Sequence, residues 1–251
     1  GASRKGMGIS HSINRITLHL QEHYAEYGNE GYILQIDLKD YFASIPHDKM
    51  KELIRKKFTD PKLIHLIEQF IDAFAEAKMK EMEQFKEAAM EYGEEYAKGL
   101  GLGSEVCQMC AVSYPDKVDH YVKEVEGIRP YARYMDDSYI IHIDKEYLKE
   151  VLERIREIYG SLGIRLNDKK TKIVKLSHGF TFLKTHFLLT DTGKVVKRIC
   201  RESVTRERRK LKKFAKLNAE GHMSYEQIRA AYQSWRGFAE KKDAYHTIRR
   251  M

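Results

Sequence analysis

Ile128-Arg-Pro-Tyr-Ala-Arg-Tyr-Met-Asp-Asp-Ser-Tyr-Ile-Ile-His-Ile143 sets two adjacent carboxylates, Asp136 and Asp137, between short runs rich in Tyr and Ile. Such runs, so closely spaced, read as a β-hairpin carrying the acidic pair at its turn. Like charges buried side by side are costly unless a cation neutralises them, so the pair suggests a divalent metal site. Taken alone, the stretch is read first as a solvated Asp-Asp turn, because Asp accepts turn geometry. The remainder of the chain reverses that reading.

A chain of 251 residues can bury a sizeable core, as one large domain or two small ones. No segment is apolar for long enough to cross a membrane, and no secretory signal opens the sequence. Gly1 stands first rather than Met, as in a processed product or a fragment. Three cysteines make no disulfide framework, so a reducing cytoplasm is the expected setting. The net charge of +8 is unevenly spread: Arg201 to Lys216 holds eight Lys or Arg against two Glu. A concentrated basic segment beside an acidic site suggests a polyanionic partner, most often nucleic acid.

Apolar periodicity predicts a helix up to Gly28 through Ile13, Ile16, Leu20 and Tyr27. A strand follows over 31–38, with Leu34, Ile36 and Leu38 on one face and Asp37 on the other. The chain turns over 41–46, is helical over 48–58, and enters another helix at Pro61. There Leu63, Leu66, Ile67, Phe70, Ile71 and Phe74 are expected to face the core. Met82, Phe85, Ala89, Tyr92 and Tyr96 form a narrow seam that either leans on the body of the same chain, the favoured reading, or meets a partner helix. A Gly-rich loop over 99–104 leads to a helix over 105–124 disturbed at Pro115. After the acidic hairpin, Leu148, Val151, Leu152, Ile155, Ile158 and Leu162 mark a helix ended by Gly163. Strands are expected over 164–166, 171–176, 180–188 and 194–199, the last two joined at Thr190-Asp-Thr-Gly193. The final fifty residues read as helical, with a break at Gly221-His222. Helices and strands mix without βαβ alternation, which gives an α+β body with a helical appendage.

Asp37 ends a strand and Asp136-Asp137 sits in a turn about a hundred residues later. In-line phosphoryl transfer with two divalent ions about 4 Å apart needs carboxylates from at least two backbone segments, and this set supplies them. Mg²⁺ prefers such hard oxygen ligands. Ile36-Asp-Leu-Lys-Asp-Tyr-Phe-Ala-Ser-Ile45, Gly101-Leu-Gly-Ser-Glu-Val-Cys-Gln108 and Tyr134-Met-Asp-Asp137 resemble three successive palm motifs of reverse transcriptases. Leu166-Asn-Asp-Lys-Lys-Thr171 and Gly179-Phe-Thr-Phe-Leu183 resemble the next two, in the family's order. Five ordered motifs are far more specific than any one of them.

The resemblance implies a right-hand polymerase: partial fingers and palm over 1–198, and a helical thumb over 199–251. It implies RNA-directed DNA synthesis on a primer 3′-end with two Mg²⁺, for which Mn²⁺ can substitute. Asp37, Asp136 and the backbone carbonyl of Leu38 would bind the metals, with Asp137 completing the cluster. Tyr41, Phe42 and Gln108 would lie at the incoming deoxynucleoside triphosphate, Phe42 as a steric gate against a ribose 2′-hydroxyl. Lys170 would donate a proton to the leaving pyrophosphate. Phe180, Phe182 and Leu183 would hold the primer end. Gly101 to Gln108, with no Pro before the Gln, is unlike the Pro-Gln-Gly form of retroviral and typical group II intron enzymes and closer to the Ser-Gln form of diversity-generating retroelements and related bacterial and prophage enzymes. Cys107 replaces a Ser of that form, and Lys184 stands where many bacterial members have Gly. The family's first fingers strands should precede Arg4-Lys5-Gly6. Rival readings are template-independent or protein-primed DNA synthesis, and a non-catalytic nucleic-acid-binding module.

Behind such a palm, Arg206, Arg208, Arg209, Lys210, Lys212, Lys213 and Lys216 are expected to meet the phosphates of an RNA template and its primer. An A-form-like hybrid is read largely by shape. Trp235 is expected to pack between the terminal helices. His19-Leu-Gln-Glu-His23 matches an inverted zinc-protease pattern, and is read as an ordinary helix surface. Cys107-Gln-Met-Cys110 has CxxC spacing, but with only Cys200 elsewhere it cannot build a four-cysteine zinc site. Both cysteines are read as small buried residues.

Overall fold

The computed structural model describes residues 5–82, 98–101 and 103–251, with the side chains of 74–82 left out. The seam from Phe85 to Tyr96 and Leu102 of the Gly-rich motif lie outside what is described, as do the side chains of Phe74 and Met82. The chain folds as two compact units. One comprises 1–19 and 31–173, the other 20–30 and 174–251. Residues 174–198, read from the sequence with the palm, therefore lie in the same unit as the terminal helices.

The larger sheet has the order β2-β3-β1-β4, from β1 (Tyr32–Ile36), β2 (Tyr131–Tyr134), β3 (Asp137–His142) and β4 (Lys172–Lys175), of which the first three strands and Lys172-Ile173 belong to the first unit. β3 is central and antiparallel to both neighbours, pairing Ile36 with Ser138 and Tyr134 with Asp137. Ile33, Leu34, Gln35 and Ile36 are all buried, so β1 is covered on both faces rather than on one. Its core is completed by α3 (His47–Lys57), α4 (Pro61–Met82), α5 (Glu105–Ser113), α6 (Asp116–His120) and α7 (Lys145–Ser161), after the preceding α1 (Ile9–Tyr27) and the single-turn α2 (Tyr41–Ser44). The helix α2 replaces the expected turn at 41–46. Asp144 caps α7 by accepting from the Glu146 and Tyr147 amides, as the sequence after a strand invites.

The apolar stripe of α4 is wider than the edge that packs. Ile64, Ile67 and Ile71, spaced three and four apart, meet the core. The parallel row Leu63, Leu66 and Phe70 is 38%, 50% and 41% exposed, so these three are not core residues as expected. One helix edge can press on one neighbour, and the second row lies round the cylinder from it.

The second unit contains β5 (Phe180–Phe182), β6 (Thr185–Leu189) and β7 (Val195–Ile199) in that order. It also holds the helices α8 (Arg201–Ala219), α9 (Tyr225–Ala239) and α10 (Tyr245–Arg249). The segment 20–30 belongs here: the Tyr24 hydroxyl donates to the Asp191 carbonyl at 2.7 Å, and Asn29 bonds the Asp191 side chain. Gly193 makes room for the Tyr24 ring, and its φ of +78° also favours glycine. Ser224 and Gln227 form a capping box at the start of α9. Trp235 is half-buried, donates to Ser203 Oγ at 3.4 Å and stacks on Tyr232, which fits the packing role expected of it.

The span 180–188 is not one strand. Phe182 pairs with Thr185 across a two-residue turn, Leu183-Lys184, in which both residues have positive φ, +46° and +58°. Two-residue hairpins take this form because its twist matches that of the strands, but it favours Gly or Asn. Lys184→Gly is therefore expected to stabilise the chain by about 1 kcal/mol, read as a higher urea midpoint. An unchanged or lowered midpoint would mean that the Lys184 side chain makes contacts worth as much as the strain.

Candidate active site

The register of the first sheet decides where the carboxylates meet. Because Ile36 faces Ser138, the next residue on each strand brings Asp37, just past β1, beside Asp137 at the start of β3. Asp136 lies in the turn between β2 and β3, one residue earlier. Met135, the first residue of that turn, has φ of +57°, unusual for a large side chain.

Asp37 is fixed from its backbone. Its carbonyl accepts from the Asn167 amide at 2.8 Å, and Lys39 N donates to the Arg165 carbonyl at 2.9 Å. These two bonds bridge Leu38 to Leu166, and neither uses the Leu38 carbonyl. The loop carrying Lys170 is closed by the Lys170 and Thr171 amides, which both donate to the Asn167 carbonyl. That turn brings Lys170 Nζ to 3.0 Å from Asp37 Oδ2, although the two residues are far apart in sequence. The other oxygen, Asp37 Oδ1, is buried without a hydrogen-bond partner.

Electrostatics set these acids apart from surface carboxylates. Burial above all raises the pKa of Asp136, and the charge of Asp37 adds to it. Asp137 is pushed up to about 6 by burial first, then by Asp136 and Asp37, with Lys170 pulling the other way. Lys170 is held above the ordinary lysine range, chiefly by its hydrogen bond to Asp37.

An open cavity of about 570 Å³ runs over this ground, lined by Asp37, Leu38, Tyr41, Asp136 and Lys170 among others. Asp137, Phe42 and Gln108 are not part of its lining. Tyr41 is almost wholly buried, and its hydroxyl donates to the Ala111 carbonyl at 2.5 Å. Phe42 packs edge-on against that ring at 5.7 Å, and its carbonyl accepts from the Leu100 amide. Gln108 lies in the first turn of α5, whose N-cap is Ser104. Among the described residues, no three His, Cys, Asp or Glu side chains converge closely enough to hold one ion between them. Like charges push apart, and Lys170 already neutralises Asp37. The donor chemistry nevertheless fits a hard divalent cation: a buried unpartnered carboxylate oxygen, and two neighbouring acids whose charged forms are disfavoured.

One residue that the sequence reading passed over sits under the turn. Arg133 has a side chain only 9% exposed and grips Asp119 of α6 with Nε at 3.0 Å and Nη2 at 2.5 Å. Burial works against the Asp119 carboxylate, but the hydrogen bonds and charge of Arg133 outweigh it and hold its pKa below the usual range. Tyr131 and Arg133 are two apart on β2, so both reach the same side, where the Tyr131 hydroxyl also donates to Asp119. An Arg in step with buried strand positions was the available signal.

His19 and His23 do not lie on a helix surface as expected; both are buried. His19 packs against Tyr139, whose hydroxyl lies 3.0 Å from its Nδ1, and burial pushes its pKa down to about 4. His23 bonds the Glu30 carbonyl. Cys107 and Cys110 are buried free thiols, as read. Phe180 and Phe182 are buried in the second unit, with Phe180 stacked on Phe187 and Leu183 in the hairpin turn. The seven basic residues of α8 from Arg206 to Lys216 are all exposed.

The family model described as reverse transcriptase (RNA-dependent DNA polymerase) matches residues 3–187. The chain belongs to that family. No curated protein matches its sequence. Among solved structures it is similar to telomerase from Candida albicans in complex with a TWJ fragment of telomeric RNA. That match has a TM-score of 0.56 at 10% identity, over 76% of this chain and 34% of that one. It is also similar to apo telomerase from Candida tropicalis truncated from its C-terminal domain, with TM-score 0.51 at 14% identity, over 76% of this chain and 40% of that one. The chain thus spans well under half the length of these two structures. At such identities the likeness speaks for the fold, an α+β body of the polymerase-palm kind. No described helix is long and apolar enough to cross a membrane.

Proposed function

We propose that this chain carries the palm and thumb of an RNA-directed DNA polymerase that extends a primer 3′-end with deoxynucleotides. The observation that carries the reading is the strand-end carboxylate of Asp37 opening on the same cavity as Asp136, with one buried oxygen unpartnered. Asp37, Asp136 and the Leu38 carbonyl hold two Mg²⁺, or Mn²⁺ in their place, and Asp137 completes the acidic cluster. When bound, the ions supply positive charge to the reacting phosphate and lower the pKa of the attacking hydroxyl.

The chain's own groups do the rest. Lys170, on a turn fixed to the Asp37 backbone, holds its proton within reach of the cavity and delivers it to the leaving pyrophosphate. Tyr41 backs Phe42 from the core, and Phe42 bars a ribose 2′-hydroxyl, while Gln108 borders the nucleotide. Phe180, Phe182 and Leu183 shape the hairpin that holds the primer end. The exposed basic face of α8 meets the phosphates of the template–primer duplex, without regard to base sequence. Within the family we place the chain nearest the diversity-generating-retroelement and related bacterial enzymes, on the Pro-free Gly101 to Gln108 motif.

Primer extension on an RNA template with Mg²⁺ tests the reading: labelled primer should lengthen as a copy of the template. Salt-sensitive binding of a hybrid duplex with no extension under either ion would overturn it in favour of a binding module, and products that ignore the template would overturn it in favour of untemplated synthesis. The gate has its own test. A side chain clashing with an extra hydroxyl costs about 1–3 kcal/mol, so Phe42→Ala should raise the ratio of ribonucleotide to deoxynucleotide kcat/KM by roughly 10- to 100-fold. An unchanged ratio would remove Phe42 from that role.

A further inference from the structure

Asp136 follows a residue held in an unfavourable conformation. Met135 has φ of +57°, a region where a side-chain-bearing residue is strained, so the turn keeps its shape only if neighbouring groups impose it. Tyr134 and Asp137 pair across it, which fixes its two ends. Between those ends, the Met135 carbonyl accepts from Arg133 Nη1 at 3.2 Å. This carbonyl belongs to the peptide that links Met135 to Asp136, so its direction sets the course of the backbone into the Asp136 side chain.

Arg133 is itself aimed. Nε and Nη2 are taken by the two oxygens of Asp119, and Nη2 also donates to the Val112 carbonyl at 2.9 Å. A guanidinium is planar, so fixing two of its nitrogens fixes where the third points. Asp119 is in turn pinned by the Tyr131 hydroxyl. The chain of contacts therefore runs from α6 through Asp119 and Arg133 to the turn, and every link is local to the first unit. A lysine ammonium in the same place would satisfy the charge of Asp119 but could not hold the carbonyl with a second, rigidly placed donor.

We infer that Arg133, aimed by Asp119, is a positioning residue that holds the Met135-Asp136 turn so that the Asp136 carboxylate is placed for a divalent cation. The inference rests on the reading of Asp37 and Asp136 as metal ligands. Arg133 touches neither cation nor substrate in this scheme; it acts through the Met135 carbonyl.

The test is Mn²⁺ binding to the full chain, followed by the electron paramagnetic resonance of free Mn²⁺. The triple variant R133M/D119L/Y131F removes both charges and the attached hydroxyl together, so no ion is left unpaired inside and the fold should hold. Groups that orient a metal ligand typically contribute 10- to 100-fold in affinity, so the Mn²⁺ Kd should rise by roughly that factor. Adding Met135→Gly, which accepts the positive φ without strain, should recover most of the loss. A role confined to stability would not respond to that addition. An unchanged Kd, or a weakened one that Met135→Gly leaves weak, would overturn the inference. Should the triple variant fail to fold, Arg133→Lys takes its place with the same two expectations. Asp136→Asn distinguishes the underlying reading: if it leaves wild-type Mn²⁺ affinity unchanged, Asp136 is not a ligand, and both the reading and the inference fall.

Discussion

Asp136→Asn should lower templated primer extension by at least about 10²- to 10³-fold while leaving the fold and the affinity for a hybrid duplex nearly unchanged. Asn has the same shape and suits the same turn, so the hairpin register of Tyr134 with Asp137 survives. What disappears is one negative charge in the lining of the cavity that Asp37 also lines. A neutral amide oxygen still offers a lone pair, but it contributes far less to holding a divalent ion against water. On the proposed reading, hybrid affinity comes from the basic residues of α8, all of them exposed and none near Asp136 in sequence, so it should change by less than about twofold. The double variant Asp37→Asn/Asp136→Asn should be little worse than either single one, because groups that act as a unit lose their effect together. Undiminished extension by Asp136→Asn would sink the polymerase assignment. Loss of duplex binding in step with extension would mean that the substitution had disturbed the fold rather than the chemistry.

The acidic hairpin was legible because short runs rich in Tyr and Ile flank an adjacent pair of acids, and its reading as more than a solvated turn came from Asp37 and the other ordered motifs. Asp37 was legible at the end of a strand because Leu34, Ile36 and Leu38 alternate there and leave it on the opposite face. What local patterns do not encode is pairing across long separations. Nothing in the sequence around Lys170 says that its ammonium will settle on Asp37, since that depends on a four-residue turn bonded to the Asp37 backbone. The segment 20–30 reads as the tail of one helix, yet Tyr24 and Asn29 tie it to Asp191 in the second unit. The exposed row on α4 was misread because periodicity shows that a helix has an apolar side without showing how much of that side a neighbour covers. The hairpin within 180–188 was missed because Leu183 and Lys184 are poor turn formers, and the strand pairing on either side overrides their preference. Arg133 was passed over for a different reason: a basic residue beside a metal-type motif reads as a surface charge until its partner Asp119 is seen beneath it.

Asp137→Asn should stabilise the metal-free chain near neutral pH, the opposite of what loss of a buried polar contact does. The Asp137 carboxyl is pushed up to about 6, first by burial and then by Asp136 and Asp37. An unfolded aspartate titrates near 3.9, so the folded chain favours the protonated form. That preference contributes fully below about pH 4 and is lost as pH rises through 6, beyond which the folded state holds an anion it disfavours. Two pKa units correspond to on the order of 3 kcal/mol, and solvent reaching the partly exposed group reduces this to about 1–2 kcal/mol. In the presence of a chelator, Asp137→Asn should therefore exceed the wild type by about that amount at pH 7.5 in urea unfolding, and the two should converge below pH 4. Comparison with the variant cancels the titration of groups that do not interact with Asp137. With excess Mg²⁺ the order should shift toward the wild type if, as proposed, a cation binds the charged cluster of the folded chain alone. A variant equal to or weaker than the wild type at pH 7.5 under chelation would show that the three carboxylates are already neutralised within the protein. The cluster would then have no charge left for a cation to answer, and the case for metal binding would have to rest on sequence resemblance alone.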